Sequence, residues 1–264
     1  MVEIAAIWRY PVKGLAGERL PKVRLTAGQL LPHDRRFALA HGSTRFDPGA
    51  PEYLKPSNFF QLKRDEKLAQ LGLAFEAEGG HLTLTRKGKP VVRGQADHPT
   101  GRLVLAQFFA TFLGETGRGV PKLVAAEGHA FTDLPERRIS VLNLASVRDL
   151  ERVVRAKLDP RRFRANIWLE GLPAWAEFDW IGRTIALGPL GARVRLRVDA
   201  PIERCAATNV HPETAERDLN IPLSLQRGYG HRDMGIYCEV LDDGEIAEGQ
   251  TADVPQEVRE ALPF

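Results

Sequence analysis

The pattern of apolar and polar positions along this chain predicts many short strands and few helices. Between residues 73 and 94, three strand-like segments are separated by glycine-containing turns, a pattern typical of an antiparallel meander. Residues 200–218 follow another such segment and form a polar, irregular stretch. Further strand-like segments lie at residues 3–10, 20–26, 122–125, 139–142, 193–198, 234–241 and 249–254. The chain is therefore predicted to be mainly β, of the α+β class.

Three segments have helical features. Residues 65–71 predict a short helix, and residues 99–114 carry an apolar stripe that ends at a glycine. A third helix is predicted to begin after residue 142 and to end near residue 158, with Asn143 or Ser146 as its N-terminal cap. Residues 222–231 contain a proline near their start and predict a loop.

Length and composition limit the functional classes. A chain of 264 residues can form one large domain or two modest ones. The net charge of +3, from 37 basic and 34 acidic residues, and the lack of an aromatic and basic pattern argue against nucleic acid as a partner. The amino terminus does not resemble a secretion signal, and no segment has the roughly 18 apolar residues of a membrane span. We therefore expect a cytoplasmic protein with no membrane partner.

The candidate chemistry centres on Cys205. This cysteine lies where a predicted strand ends in the polar stretch, directly after Arg204 and shortly before Thr208, Asn209 and His211. A neighbouring guanidinium favours the thiolate, which is the form that attacks electrophiles or binds metals. The alternative is a small buried hydrophobic residue, because free cysteines are often buried. Residue types alone leave both interpretations open.

Basic side chains at the ends of predicted elements suggest an anion site. If they converge near Cys205, they form a pocket for a phosphate-bearing cofactor with a soft thiolate at its reactive end. If they do not, they are solvated surface charges. The chain lacks the GxGxxG, P-loop, HExxH, paired CxxC and GxSxG motifs, and a zinc site at Cys205 and His211 is poorly supported. The basic residues concerned are Lys13, Arg35, Arg162, Arg164 and Arg204, with Ser146 at a predicted helix start.

A set of motifs, in order along most of the chain, resembles one family. The motifs are YPVKG at 10–14, DRRFAL at 34–39, FRANI at 163–167, PIERCAATNVHPET at 201–214, RD at 217–218, PLSL at 222–225, GIY at 235–237 and the closing GEIAEGQTADV. Together they resemble the MOSC family, named for the carboxy-terminal domain of molybdenum cofactor sulfurase. The similarity is greatest to the branch that contains the mitochondrial amidoxime-reducing component and its bacterial relatives.

The resemblance implies a MOSC-type β-barrel domain at residues 116–264, preceded by a β-barrel-like module at residues 1–115, with a few short helices. It implies a molybdenum cofactor of the molybdopterin type, and not pyridoxal phosphate, with Cys205 as the catalytic molybdenum ligand. Relatives often have serine at the position of Gly14 and proline at that of Ala165. The residues that the resemblance assigns to the pterin and its phosphate are Lys13, Arg35, Ser146, Arg164, Asn166, Arg204, Thr208 and Asn209.

The implied activity is the reduction of small N-hydroxylated or N-oxygenated compounds. Because no cysteine cluster follows that could bind an iron–sulfur centre, electrons are expected from separate proteins, a ferredoxin- or cytochrome-type carrier and a reductase. The alternative is a non-catalytic carrier of molybdenum cofactor, or of persulfide sulfur on Cys205. A purely structural or adaptor role is a third possibility. Residues 128–137 and 227–233 are the loops expected to set substrate choice.

Overall fold

The structure is a computed structural model that describes residues 1–255, and it is mostly β. Within these residues the strands are β1 (Glu3–Arg9), β2 (Glu18–Arg19), β3 (Lys22–Leu25), β4 (Ala38–Ala40), β5 (Leu71–Glu76), β6 (His81–Arg86), β7 (Lys89–Gln95), β8 (Lys122–Val124), β9 (Ile139–Asn143), β10 (Ile167–Glu170), β11 (Thr184–Leu187), β12 (Val194–Glu203), β13 (Asp233–Val240), β14 (Gly244–Ala247) and β15 (Ala252–Asp253). The α-helices are α1 (Pro99–Leu113), α2 (Leu144–Val154) and α3 (Ile221–Tyr229). Short 3-10 helices span Pro56–Asn58, Glu66–Gln70, Pro160–Phe163, Ala176–Trp180 and Ala206–Asn209. The predicted fold class is confirmed.

The largest sheet has eight strands in the order β15-β11-β12-β13-β9-β10-β1-β2 and curls into a half-barrel. Its pairs are antiparallel except β9 with β10. The alternating sequence of β12 explains its orientation, because Val194, Leu196 and Val198 are buried in the core while Arg195 and Arg197 face solvent. This sheet carries the strand that ends just before Cys205.

A second apolar core forms between the meander β5–β6–β7 and helix α1. His98 caps α1 by accepting a hydrogen bond from the backbone of Thr100, and the helix ends before Gly114, whose φ is 70°. Phe109 is buried in this core, whereas Leu103, which the helical stripe predicted to be inside, is mostly exposed. The meander and the helix were thus predicted correctly. The set of helix residues that face the core was predicted only in part.

Strands from the first 40 residues pair with strands that lie beyond residue 120. Strand β1 lies beside β10, β3 beside β14, and β4 beside β8. The loop that follows β1 is therefore held against loops of the second half. The boundary between residues 115 and 116 stays a prediction, but these pairings explain how residues far apart in sequence line a common cavity.

Three local predictions were wrong. Residues 222–231 are not a loop, because α3 spans most of them; its proline lies in the first helical turn, where proline is tolerated, and Gly230 ends the helix. Helix α2 ends at Val154, not near residue 158, because Arg155 takes a left-handed conformation. Near the carboxyl terminus, the predicted strand at 249–254 is only the two-residue β15.

Across residues 1–255, none of the helices combines the length and the apolar character required to cross a bilayer.

Candidate functional site

Seven of the nine predicted site residues line one cavity. It lies among the loop after β1, the loop before β9, the segment before β10 and the end of β12, and it encloses about 1020 Å³, including the part open to solvent. The seven residues are Lys13, Arg35, Arg164, Asn166, Arg204, Cys205 and Thr208. The other two, Ser146 and Asn209, are not among its lining residues. We refer to this space as the Cys205 cavity.

Cys205 is exposed and lies two residues beyond the end of β12. Its carbonyl accepts hydrogen bonds from the backbone N–H of Thr208 at 3.1 Å and from the Thr208 hydroxyl at 2.9 Å. These bonds fix the short helix Ala206–Asn209 immediately after the cysteine. The interpretation of Cys205 as a buried hydrophobic residue is therefore wrong, whereas Cys238 is fully buried, and burial raises the pKa of its thiol.

Arg204 is buried and hydrogen-bonded to the backbone around the cysteine. Its guanidinium donates from Nε to the carbonyl of Met234 at 2.8 Å and from Nη1 to the carbonyl of Phe163 at 2.9 Å. No hydrogen bond from Arg204 to the Cys205 sulfur occurs in the described part of the chain. Burial lowers the pKa of Arg204 to about 10. Arg204 thus holds the end of β12 in place and puts a buried positive charge near the thiol.

Lys13 is only 6% exposed and already has three acceptors. Its ammonium donates to the carbonyl of Phe131 at 3.0 Å, to the carbonyl of Thr132 at 3.3 Å and to the carboxylate of Asp133. Burial lowers the pKa of Lys13, and the attraction of Asp133 offsets this only in part. An ammonium has three donors, so Lys13 can bind a phosphate only if one of these acceptors is displaced. The Asp133 side chain, which is 65% exposed, is the one that can move.

Arg35 and Arg164 both pack against the ring of Tyr10. Their guanidinium carbons lie 4.6 and 4.4 Å from the ring centroid, and Arg35 also donates to the Arg164 carbonyl at 3.0 Å. Both arginines have φ of +51°, an unusual conformation for a residue with a side chain. Burial, and next the charge of Arg35, lower the pKa of Arg164 to about 10. Two cations are therefore held close together at a cost in backbone strain and desolvation.

The Asn166 side chain is hydrogen-bonded to residues of two neighbouring strands. Its carbonyl oxygen accepts from the N–H and the hydroxyl of Ser140, at 3.1 and 2.8 Å, and its amide donates to the carbonyl of Trp8 at 3.1 Å. The residue is buried and links β1 to β9 through the segment before β10. In this structure Asn166 supports the wall of the cavity, and its side-chain oxygen has no free place for a ligand donor beyond these two.

Ser146 and Asn209, which the resemblance assigns to the cofactor, do not line the Cys205 cavity as the structure describes it. The Ser146 hydroxyl donates to the buried carboxylate of Glu177 at 2.8 Å and accepts from the N–H of Trp175. The cap of α2 is Asn143, whose side chain accepts from the N–H of Ala145. Asn209 accepts from the N–H of Ile221 and so connects the Cys205 loop to α3.

Four residues that the sequence prediction did not assign to the site are part of it or next to it. Asp34 pairs with Arg35, Asp133 with Lys13, and Asp218 with Arg162, while the Tyr10 ring packs against both Arg35 and Arg164. Asp34 and Tyr10 lie inside the motifs quoted above and could have been identified from them. Asp133 lies in the 128–137 loop that was expected to set substrate choice, but its pairing with Lys13 could not be predicted, because the two are 120 positions apart and only the fold brings them together.

The charges around the cavity fit a phosphate-bearing group. Six cations line it, and four of them, Lys13, Arg35, Arg138 and Arg162, each contact a carboxylate. Within residues 1–255, Arg164 and Arg204 form no salt bridge. A buried charge without a counter-charge is unfavourable, so the attraction of an anion bound here would offset the desolvation that lowers the pKa values of Arg164 and Arg204.

The donor set also fits a metal that arrives with its own ligands. No group of three His, Cys, Asp or Glu side chains in the described residues could hold a metal ion. Cys205 therefore offers a single soft sulfur ligand at the edge of a cationic cavity. One thiol beside a cationic cavity suits a thiophilic metal that is carried by an anionic organic cofactor. It does not suit a free metal ion, which needs several protein ligands.

Comparison with known proteins identifies both halves of the chain. Residues 1–116 match the MOSC N-terminal beta barrel domain, and residues 127–253 match the MOSC domain. The crystal structure of the YuaD protein from Bacillus subtilis has 12% identity and a TM-score of 0.45, covering 96% of this chain and 94% of that one. YiiM from Geobacillus stearothermophilus has 21% identity and a TM-score of 0.34, covering 47% and 57%. No curated protein is significantly similar in sequence.

The MOSC domain is associated in general with binding of the molybdenum cofactor. Taken together, the two matches cover nearly all of the described residues, and their order agrees with the order of the motifs. The chain belongs to the MOSC family and carries a MOSC N-terminal beta barrel domain ahead of the MOSC domain.

Proposed function

We propose that this protein is a molybdenum-cofactor-dependent oxidoreductase that reduces N-hydroxylated or N-oxygenated small molecules. The observation that carries this proposal is the position of the exposed Cys205 at a cavity where, within residues 1–255, Arg164 and Arg204 have no carboxylate partner. A soft ligand and an anion site are thus adjacent, which is what a metal on a phosphate-bearing cofactor requires. Family membership supports the cofactor class.

The residues of the chain have separate roles in this proposal. Cys205 binds the metal, and Thr208 fixes the Cys205 carbonyl so that the thiol keeps its position. Arg164 and Arg35 bind the anionic part of the cofactor, and Lys13 joins them when Asp133 moves away. Arg204 and Asn166 hold the backbone that carries these groups.

When bound, the cofactor supplies two-electron redox chemistry at the metal. For an N-hydroxylated substrate the balance is simple: two electrons and two protons enter, the N–O bond breaks, and the oxygen leaves as water. We assign the electrons to a separate ferredoxin- or cytochrome-type protein and its reductase, as the family resemblance implies.

The activity is tested with protein produced in a host that makes the molybdenum cofactor, using a reduced viologen dye and benzamidoxime. We expect dye oxidation coupled to benzamidine formation, and at least a hundredfold lower rate for Cys205→Ser, because a hydroxyl is a hard and poorly ionised ligand. Cys238→Ser is the matched control, because that thiol is fully buried away from the cavity. Molybdenum-replete protein that is inert on all N-oxygenated compounds would contradict the proposal.

A second candidate is a carrier of molybdenum cofactor or of persulfide sulfur. The observation that favours it is the exposure of Cys205, since a carrier thiol must be reached by donor and acceptor proteins. Mass spectrometry of metal-free protein separates the two functions. A stable mass increase of one sulfur atom on Cys205 supports the carrier, whereas unmodified Cys205 in cofactor-loaded, active protein supports the enzyme.

A further inference from the structure

A smaller cavity adjoins the Cys205 cavity on the side of Tyr10. It encloses about 530 Å³, including the part open to solvent, and shares Gly14 and Arg164 with the larger space. Most of its wall is apolar, as expected for a site that holds the body of a small organic molecule. We call it the side cavity. Its apolar wall includes Leu15, Leu62, Ala69, Val210 and Pro212.

Three residues that line the side cavity each carry a buried polar atom without a hydrogen-bond partner in the described part of the chain. The atoms are the hydroxyl of Tyr10, the indole N–H of Trp8 and the Nε–H of Arg162. Tyr10 is 2% exposed and Arg162 is 4% exposed, so bulk water does not satisfy them. Most buried polar atoms in proteins have a partner, and leaving a donor unpaired is unfavourable. Three such atoms around one small cavity indicate a ligand that accepts hydrogen bonds.

The charges at this cavity indicate an anion. Arg161 contacts the carboxylates of Asp159 and Glu213, and Arg162 contacts Asp218. Arg164 also lines the cavity and has no salt bridge among residues 1–255. No acidic side chain is part of the wall. A cationic ligand is therefore disfavoured, and a ligand with one negative charge is favoured.

We propose that the side cavity binds a small organic acid, with an apolar body and a single carboxylate. A small rotation of Tyr10, Trp8 and Arg162 brings their buried donors to the cavity surface, where the two carboxylate oxygens accept from them. Arg164 provides the counter-charge. A phosphate fits less well, because its four oxygens and second charge would face the apolar wall. Binding can be measured without turnover, so it can succeed or fail independently of the redox activity.

Tyr10 offers a sharp variant because its hydroxyl has no partner. Tyr10→Phe keeps the ring that packs against Arg35 and Arg164 and removes only the oxygen. Removing an unsatisfied buried polar atom should leave the melting temperature unchanged or raise it. The same variant should bind the ligand about three- to tenfold more weakly, because one hydrogen bond is lost. If Tyr10 had only a packing role, its replacement would not weaken binding while leaving the melting temperature unchanged or higher.

The experiment uses the purified full chain and benzoate as the probe, with ligand-detected NMR and tryptophan fluorescence as readouts. Benzylamine tests the sign of the charge, ethylbenzene tests the need for an acceptor, and inorganic phosphate tests the need for an apolar body. We expect saturable benzoate binding at millimolar or lower concentration and at least tenfold weaker binding of the other three probes. Trp8→Phe should weaken benzoate binding and reduce the fluorescence change.

A filling variant locates the bound probe. Ala69→Leu extends a side chain into the side cavity and should abolish benzoate binding, while Ala50→Leu makes the same change at an exposed turn and should have no effect. Neither Ala69 nor Tyr10 lines the Cys205 cavity. If benzoate binds equally well to Tyr10→Phe and Ala69→Leu, it occupies another place and the inference is wrong. If no probe binds, the donors are satisfied by water alone, and the inference is also wrong.

Discussion

Glu177 is a buried carboxyl held by two neutral partners at the start of α2. It accepts hydrogen bonds from the Asn143 amide and the Ser146 hydroxyl, each at 2.8 Å. Burial raises the pKa of Glu177, and these hydrogen bonds counter the increase only in part. The cluster accounts for Ser146 without any ligand, because its hydroxyl is used both as a donor and as an acceptor.

The raised pKa of Glu177 predicts a pH-dependent stability. A folded state that binds a proton more tightly than the unfolded chain is stabilised below the unfolded pKa of about 4.5 and loses that contribution as pH rises through the folded pKa. We expect the free energy of unfolding of Glu177→Gln, relative to wild type, to increase as pH rises across this range. Urea unfolding at several pH values measures it. Parallel wild-type and Glu177→Gln profiles would show that Glu177 keeps an ordinary pKa.

Some residue-scale features follow from the sequence and others do not. Gly14 has φ of +82°, and a Cβ there would lie 3.0 Å from the carbonyl oxygen of Phe60, so the glycine suits this backbone better than the serine of its relatives. Nothing in the local sequence predicts that Arg35 and Arg164 adopt positive φ, or that Lys13 is saturated by a distant loop. These properties depend on contacts between segments more than 100 positions apart.

At the scale of elements, Arg217 joins the loop after Phe60 to the loop of Cys205. Its guanidinium donates to the carbonyl of Ala206 at 3.2 Å, to those of Leu62 and Lys63 at 3.1 and 2.9 Å, and to the Glu66 carboxylate. Leu62 lines both cavities. The Arg217 side chain therefore connects the Cys205 loop to a segment that is part of both cavity walls. Only a planar fork of donors can make these contacts together.

Replacing Arg217 should expose Cys205 further. We expect Arg217→Ala to increase the rate of Cys205 alkylation by iodoacetamide roughly tenfold or more, because each lost charge-assisted hydrogen bond is worth on the order of 1.5–3 kcal/mol. Arg217→Lys should give an intermediate rate. Fully buried Cys238 does not contribute to the signal in folded protein.

The matched control for this loop contact is Arg232→Ala. It removes the same charge near Cys205, but among residues 1–255 the Arg232 side chain pairs only with the exposed Glu203. Equal alkylation rates for Arg217→Ala and Arg232→Ala would assign any change to charge, and would contradict the idea that Arg217 holds the two loops together.

Element prediction succeeded where the pattern was local. The meander β5–β7, helix α1 and the strand before Cys205 each have a clear periodicity or a clear end signal. It failed at α3, where a proline in the first turn was treated as a breaker, although proline lacks only an N–H that the first turn does not need. Strand order could not be predicted, because it depends on packing between distant segments. Strands β3 and β14, for example, are more than 200 positions apart in the sequence and yet pair.

At the scale of the whole molecule, the fold brings three distant regions around one cavity. Lys13 comes from the loop after β1, Asp133 from the loop before β9, and Cys205 from the end of β12. The ordered motifs predicted the family, and seven of the nine site residues predicted from them line the cavity. The pairing of charges and the side cavity could be recognised only in the three-dimensional structure. Basic side chains outnumber acidic ones around this cavity, and this excess of positive charge is the physical basis for proposing an anionic cofactor.

The central claim is that this cavity holds a molybdenum cofactor through Cys205, Arg164 and Arg35. Its most direct test is the molybdenum and pterin content per chain of protein purified from a cofactor-producing host. We predict close to one of each per chain, and at least tenfold less of both in Arg164→Ala, because a buried charge-assisted contact is lost. Wild-type protein that contains neither molybdenum nor pterin under these conditions would contradict the account.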